Sequence, residues 1–361
     1  MKRNRGIGKA LLAPAAGVFY LVVKIRHVLY NWGIISSMSP KVATICVGNL
    51  TVGGTGKTPH IELLIDLLRK KYKLAVLSRG YKRKTKGFQS VETSSTSAEV
   101  GDEPLQIKQK FPQISVAVDA NRAEGINQLT FKDPSIDIIL LDDAFQHRKV
   151  KAGFNIILID FNRPIWEDTM LPIGNLRDTV DQLDRANIVI ITKCLSDLTP
   201  LDKRLLSKKI RLYPYQKLLF SSIKYGTPEP LFDNAVPFKP SKKAVIIAGI
   251  AEPTPFINHV KTLATEVHPL IFPDHHQFAL QDIYRIADAI PETADGINIF
   301  TTEKDAKRLI GMSLPEHIKK YLYFVPIKAH LSDDADEVLL NKIVRYVKEN
   351  TGNSIVHKGT Y

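Results

Sequence analysis

The stretch that most limits what this chain can become runs from Val42 to Leu68, VATICVGNLTVGGTGKTPHIELLIDLL: an apolar strand, a glycine-rich turn, and a helix opening on Lys57 and Thr58. The backbone N–H groups of such a turn, with the helix N-terminus behind them, surround an anion, which suits the phosphates of a nucleotide. In this pattern the lysine reaches the β- and γ-phosphates and the hydroxyl beside it faces Mg2+. Thr51, Val52, Gly53, Gly54, Thr55, Gly56, Lys57 and Thr58 therefore form the expected nucleotide-binding loop. The strict pattern begins with glycine where this chain has Thr51, so the loop is a variant, although the GGTGKT spacing is kept. Pro59 suits a first helical turn, whose N–H groups have no intrahelical partner.

Further apolar runs follow at Leu74–Gly80, Ile114–Ala120, Ile136–Asp143, Asn155–Phe161 and Asn187–Thr192, separated by helical stretches. Continuous β-branched runs of this kind predict an α/β fold with a mostly parallel sheet and helices on both faces, like that of the P-loop NTPases. Ligands of such sheets gather at the carboxyl ends of the strands. Gly48, Ser78, Arg79, Asp119, Asp142 and Asp143 all fall there. Near Pro200 the pattern changes, and a second run of strands and helices begins at Ala244. The expected organisation is a basic leader with a surface helix over 1–35, a P-loop core over 36–200, and a smaller C-terminal α/β domain over 201–361. A chain of 361 residues is long enough for more than one core.

IDIILLDDAFQH, from Ile136 to His147, has the form of the acidic strand that partners a phosphate loop. Adjacent strand residues point to opposite faces, so Asp142 and Asp143 take different tasks. One faces Mg2+ and the other holds a water, a basic group or the substrate. In GDEP, Asp102 is a candidate base for an acceptor hydroxyl, and His275 in PDHHQF is the imidazole to pair with it. Spacing alone leaves that pairing open. Asp274, His275 and His276 are adjacent, which is poor spacing for ligands of one zinc ion. Arg79, Tyr81, Arg122, His147 and Arg177 follow strands or glycines, and arginine suits bidentate contacts with phosphate.

The net charge is +13, and no Asp or Glu precedes Glu62. A second acid-free run, from Leu67 to Val91, holds nine Lys and Arg. An anionic partner is expected at this end of the molecule. No aromatic-interleaved basic strand accompanies the charge, so no nucleic-acid partner is expected. Ala10–Val23 is an uninterrupted apolar run, about 21 Å of helix and too short to span a bilayer. Its stripe, Leu11, Ala15, Val18, Val22, Ile25 and Leu29, suits a helix lying on an anionic membrane surface or one packed in a core. Cys46 and Cys194 are the only cysteines and read as buried thiols, which makes the cytoplasm the default compartment.

Taken together, VGNLTVGGTGKTP, LSRGY, VGDEP, DDAFQH, LPIGNLRD, IAGIAEPTPF, FPDHHQF and TTEKDA, in this order, resemble the tetraacyldisaccharide 4'-kinases, the lipid A 4'-kinases of Gram-negative bacteria. The resemblance runs from the N-terminal helix to about Arg308. It implies a kinase on the cytoplasmic face of the inner membrane, expected to be a monomer, that moves the γ-phosphate of ATP to the 4'-hydroxyl of a lipid disaccharide 1-phosphate, giving lipid IVA. On this resemblance Asp102 is the base and His275 its partner. Lys57 and Thr58 hold the ATP phosphates and Mg2+, Asp143 and Gln146 complete the metal environment, and Asp142 sits beside them. Arg79, Tyr81, Glu103, Arg122, His147 and Asp178 fall in motifs near the substrate and its phosphates. Ala144 stands where the family usually has glycine, and the turn there is expected to form without positive φ.

A switch-type ATPase or GTPase acting as a partitioning or metal-delivery factor is the rival reading. Its loop would carry lysine where this chain has Val52, and a guanine-specific site would carry aspartate where Leu195 follows Thr192 and Lys193.

Overall fold

The apolar runs pair into two sheets. In the computed structural model, which describes residues 4–356 apart from 196, 275 and 291–295, and side chains from 12 to 350, the first seven strands are β1 (Ala43–Asn49), β2 (Leu74–Ser78), β3 (Gln89–Ser90), β4 (Ser115–Val118), β5 (Ile138–Asp142), β6 (Phe154–Asp160) and β7 (Ile188–Thr192). They are followed by β8 (Lys217–Tyr225), β9 (Glu229–Pro230), β10 (Lys243–Ala248), β11 (Glu266–Ile271), β12 (Ile297–Thr302), β13 (Leu322–Val325) and β14 (Ile327–Leu331). Among the described residues, one sheet has nine strands in the order β14, β8, β7, β6, β1, β5, β2, β4, β3, and the other has five in the order β11, β10, β12, β13, β9. Pairing is parallel except where β3, β9 and β14 join. The helices are α1 (Asn4–Asn31), α2 (Lys57–Leu68), α3 (Ser97–Val100), α4 (Asp102–Lys110), α5 (Arg122–Lys132), α6 (Pro200–Lys209), α7 (Thr254–Leu263), α8 (Leu280–Asp288), α9 (Glu303–Leu309), α10 (Glu316–Lys319) and α11 (Ala335–Val356).

Strand periodicity divides the large sheet into two cores. Ile45 and Val47 of β1 and Ile138 and Leu140 of β5 pack on Ile61, Leu64 and Ile65 of α2, on α4 and on α11. Cys46, Ile139 and Leu141 point the other way, toward Ile126 and Leu129 of α5. Each fully buried aliphatic side chain on α2 contributes about 1.5–3 kcal/mol, so Ile65→Asp would detach the helix that carries Lys57. β1 lies between β5 and β6, with the chain winding away on both sides. That is the place in an open α/β sheet where the loops part and a ligand fits.

The sheets do not divide at residue 200. β8 and β14 lie beyond it yet belong to the large sheet, and Leu339, Ile343 and Val347 of α11 fill that sheet's core. The five-stranded sheet is thus inserted between β8 and β14. The stretch from Tyr321 to Leu331 serves both sheets, parting at Pro326, a residue with no N–H for a ladder. Gly226 N–H donates to Pro326 O (2.8 Å) where the two crossings meet.

α1 is also longer than expected. Its 28 residues rise about 42 Å, and Leu12–Asn31 is long and apolar enough by length and composition to cross a membrane. The helix continues past its apolar run because its polar side chains are paired on the body: Lys24 with Asp181, Arg26 with Gln146 O, and His27 with Asp178 (2.6 Å). The stripe expected to face a membrane or a core points outward, with Val18, Val22 and Ile25 exposed.

Candidate active site

The phosphate loop is held from outside by its carbonyls. Lys193 Nζ donates to Gly54 O (2.6 Å), Thr192 Oγ1 to Thr55 O (2.9 Å), and the His60 ring, 2.7 Å away, bonds to Gly56 O. Among the described residues, none of the N–H groups of Gly53, Gly54, Thr55 and Gly56 donates to a protein acceptor. Carbonyls tied back and amides left over are what an anion nest needs. Gly56 has φ +86°, a conformation that glycine adopts without strain, and it turns the chain into α2 at Lys57. Thr51 pairs with Leu176, and Val52 N–H donates to Asn175 O (2.8 Å), so the variant start of the loop is tied to the 175–176 segment. His60 also bonds Ser221 Oγ (2.9 Å), and burial pushes its imidazole down to about 4, so it is neutral.

The acidic pair ends β5. Asp143 lies 3.7 Å from Lys57 Nζ and takes both terminal nitrogens of Arg177, which also reaches Asn49 at the end of β1. Burial would raise its carboxyl, but Lys57 and Arg177 outweigh burial and hold it below the usual carboxylate range. Asp142 is buried and accepts from Ser78 Oγ (3.0 Å). Burial first, then the Glu103 and Asp143 carboxylates, push it up to about 7. The two acids differ in environment, as strand alternation requires. The turn after them does use a positive φ, but at Asp143 (+48°) rather than at Ala144, and aspartate tolerates that region better than most residues.

α4 brings the next pair. Gly101 (φ +91°) precedes it, and a Cβ there would lie 3.2 Å from Gly80 Cα and from Tyr81 O, so only glycine lets the helix start abut the segment after β2. Asp102, the expected base, is bonded by Arg308 of α9, with Arg308 Nε 3.0 Å from its Oδ2, while Glu103 faces Lys304 (3.6 Å). α4 is pinned to the Lys57 helix by Gln106 and Lys110, which bond the buried Glu62 at 2.9 and 2.6 Å. Lys110 also reaches Glu303 of α9 (3.3 Å).

The remaining expected residues fall in different places. Arg122 is buried and donates to Asp119 O (2.7 Å) and Asp142 O (3.3 Å), bracing the ends of β4 and β5. Burial, with Arg122, Lys149, Arg26 and Arg79 nearby, pushes His147 down to about 4. Arg79 and the exposed Tyr81 line a cavity of about 520 Å³ with Lys82, Arg83 and Lys86, and Gly80 on its wall adjoins Gly101. Asp178 bonds His27 at the foot of α1. His275 lies outside the described residues. Reading the sequence missed the pins His60, Thr192 and Lys193, and missed Arg308; all act across long sequence separations, although Thr192-Lys193 at a strand end was a signal.

Several buried polar atoms near this edge have no hydrogen-bond partner among the described residues: Asp142 Oδ1, Gln146 Oε1, Asn49 Nδ2, His147 Nε2 and Arg177 Nε. Such groups are costly to bury unmet, and their convergence marks a place for a polar ligand. Among the described residues no cluster of three His, Cys, Asp or Glu side chains could hold a metal by itself. The oxygen donors Thr58, Asp143 and Gln146 suit a hard cation that completes its shell with phosphates, as Mg2+ does.

Residues 8–344 match the family described as tetraacyldisaccharide-1-P 4'-kinase. A tetraacyldisaccharide 4'-kinase of Bacteroides thetaiotaomicron is 43% identical over 358 residues, covering 95% of this chain and 94% of that protein. One of Phocaeicola vulgatus is 45% identical over 352 residues, covering 95% and 96%. The solved structure of LpxK from Aquifex aeolicus in complex with ATP superposes with a TM-score of 0.72 at 28% identity, covering 94% of this chain and 99% of that one. This likeness disfavours the switch-protein alternative. With matches spanning nearly the whole of both partners and a nucleotide loop built as described, this chain belongs to the tetraacyldisaccharide-1-P 4'-kinase family.

Proposed function

We propose that this chain transfers the γ-phosphoryl group of ATP to the 4'-hydroxyl of a tetraacyldisaccharide 1-phosphate, yielding the bisphosphate lipid IVA. The observation that carries this reading is the meeting of Lys57, at the start of the helix that follows β1, with Asp143, just past the end of the neighbouring β5, with Glu103 of α4 close enough to raise Asp142. The loop amides and Lys57 grip the β- and γ-phosphates. Thr58, Asp143 and Gln146 would hold Mg2+, which would supply positive charge to the phosphoryl oxygens. Asp102 accepts the hydrogen bond and then the proton of the acceptor hydroxyl, with His275 as its partner. The transition state of phosphoryl transfer is loose, so orientation of that hydroxyl counts for more than the strength of the base. Asp142, bonded by Ser78 and backed by Arg122, stiffens the floor of the site. Arg79, Tyr81 and the cations around them face the anionic acceptor, and His147 lies near Arg122 and Arg79. Phe161, Leu195 and Leu198 line a cavity of about 450 Å³ beyond Lys193 that suits the base of the nucleotide.

The acyl chains call for a lipid surface. The outward Val18, Leu21, Val22 and Ile25 of α1 support its lying against the cytoplasmic face of the inner membrane, with Asp178 and His27 fixing its foot. The enzyme acts there as a monomer. Incubating the protein with γ-labelled ATP, Mg2+ and a detergent-dispersed acceptor should move label into a product with a second phosphate. Label released only as inorganic phosphate would overturn the assignment. Removing residues 1–22 should abolish sedimentation with anionic vesicles and leave transfer to dispersed acceptor; unchanged sedimentation would exclude α1 as the anchor.

A further inference from the structure

Asp102 stands on a helix of the large sheet, but the group that grips it comes from the inserted sheet. Arg308 on α9 lies 206 residues away in sequence, and its side chain is only 3% exposed. Its Nε and Nη2 both donate to Asp102 Oδ2, and its Nη1 donates to Asp305 Oδ1 (2.9 Å). Asp305, fully buried, is itself held: its Oδ2 accepts from Gly249 N–H (2.8 Å) at the end of β10 and from Thr302 Oγ1 (2.7 Å). The chain of contacts Gly249, Asp305, Arg308, Asp102 therefore runs from a strand end of one sheet to the candidate base on the other. A Cβ on Gly249 would lie 3.2 Å from Asp305 Oδ1 and 3.3 Å from His276 Cβ, so the PDHHQF segment packs on the same relay.

We propose that Arg308 is the positioning residue of the phosphoacceptor base: braced by Asp305, its guanidinium fixes the Asp102 carboxylate at the angle needed to receive the acceptor hydroxyl. The inference rests on the reading that Asp102 is that base. A planar fork locked at both ends fixes orientation in a way that a flexible ammonium does not. A loose phosphoryl-transfer transition state demands little basicity and much alignment, so a carboxylate fixed in orientation by a guanidinium is well suited to the task. The inserted sheet thereby contributes to catalysis without lining the phosphate loop.

The remaining α4–α9 contacts, Lys304 with Glu103 and Lys110 with Glu303, survive replacement of Arg308 and keep the seam docked. Arg308→Gln should lower kcat about 30- to 300-fold, the scale of a misaligned reacting group, with KM for ATP and for acceptor within about threefold. Arg308→Lys should restore part of the loss. In an Asp102→Asn background Arg308→Gln should cost nothing further, because it acts only through Asp102. A folded Arg308→Gln enzyme with normal kcat, or the same loss repeated in the Asp102→Asn background, would overturn the inference. If Arg308→Gln does not fold, Arg308→Lys carries the same comparison. Near-normal turnover by Asp102→Asn alone would instead refute the base itself, so the two failures are distinguishable.

Discussion

Two strand-to-helix junctions in this molecule share a plan and differ in what occupies the helix start. After β1 the chain passes through glycines into α2, and the amides at the turn have no protein acceptor among the described residues. After β12 it passes directly into α9, where Thr302 Oγ1 accepts Asp305 N–H (3.1 Å) and the Asp305 carboxylate takes Gly249 N–H. A helix N-terminus attracts an anion in either case. In the first junction the anion must come from outside, whereas in the second the chain supplies its own. A strand-to-helix junction thus becomes a ligand site or a structural bracket according to whether the chain's own side chains occupy it.

Removing the cation from the open junction should have the largest effect. Lys57→Ala is expected to lower phosphoryl transfer by about 10³-fold or more, with thermal stability nearly unchanged; a variant that still turns over normally would mean that another group holds the phosphates. At the closed junction the loss should appear in stability as well as in turnover. Asp305→Ala leaves Arg308 short of one buried partner and should cost about 3–5 kcal/mol in denaturant unfolding. If it unfolds like the parent, α9 is not a bracket.

The seam between the junctions gives a smaller, pH-dependent effect. Burial pushes the Glu62 carboxyl up to about 7 despite Lys110, above the ordinary glutamate value of 4.5. Below 4.5 Glu62 is protonated both folded and unfolded and adds nothing. Between the two values the folded state holds the proton more tightly, and above about 7 the ionised form weakens the fold. Stability should therefore fall as the pH rises from about 5 to 8, by at most about 3 kcal/mol from this group. Melting curves of Glu62→Gln should be flatter over that window, and an equal slope would place the titration elsewhere.

What could be read from the sequence was what local pattern carries. The glycine turn, Lys57, the acidic end of β5 and most strands each announce themselves within a dozen residues. The rest depends on partners far along the chain. That Tyr321–Leu331 parts at Pro326 into two sheets follows from which neighbours each half meets, not from its own pattern. α1 outruns its apolar stretch because Lys24, Arg26 and His27 find partners on the body. Asp178 meets His27 across 151 residues of sequence, and no spacing rule joins Arg308 to Asp102.

The central claim is that one triphosphate rests on the turn before Lys57 within reach of Asp102, and a structure with a non-hydrolysable ATP analogue and Mg2+ tests it most directly. A reacting hydroxyl about 3 Å from its base and about 3–3.5 Å from phosphorus puts the Asp102 carboxylate within about 7 Å of the γ-phosphorus, with the β- and γ-phosphates over the Gly53–Thr58 amides. A triphosphate bound elsewhere, or an Asp102 held well beyond that reach in the closed complex, would contradict the account.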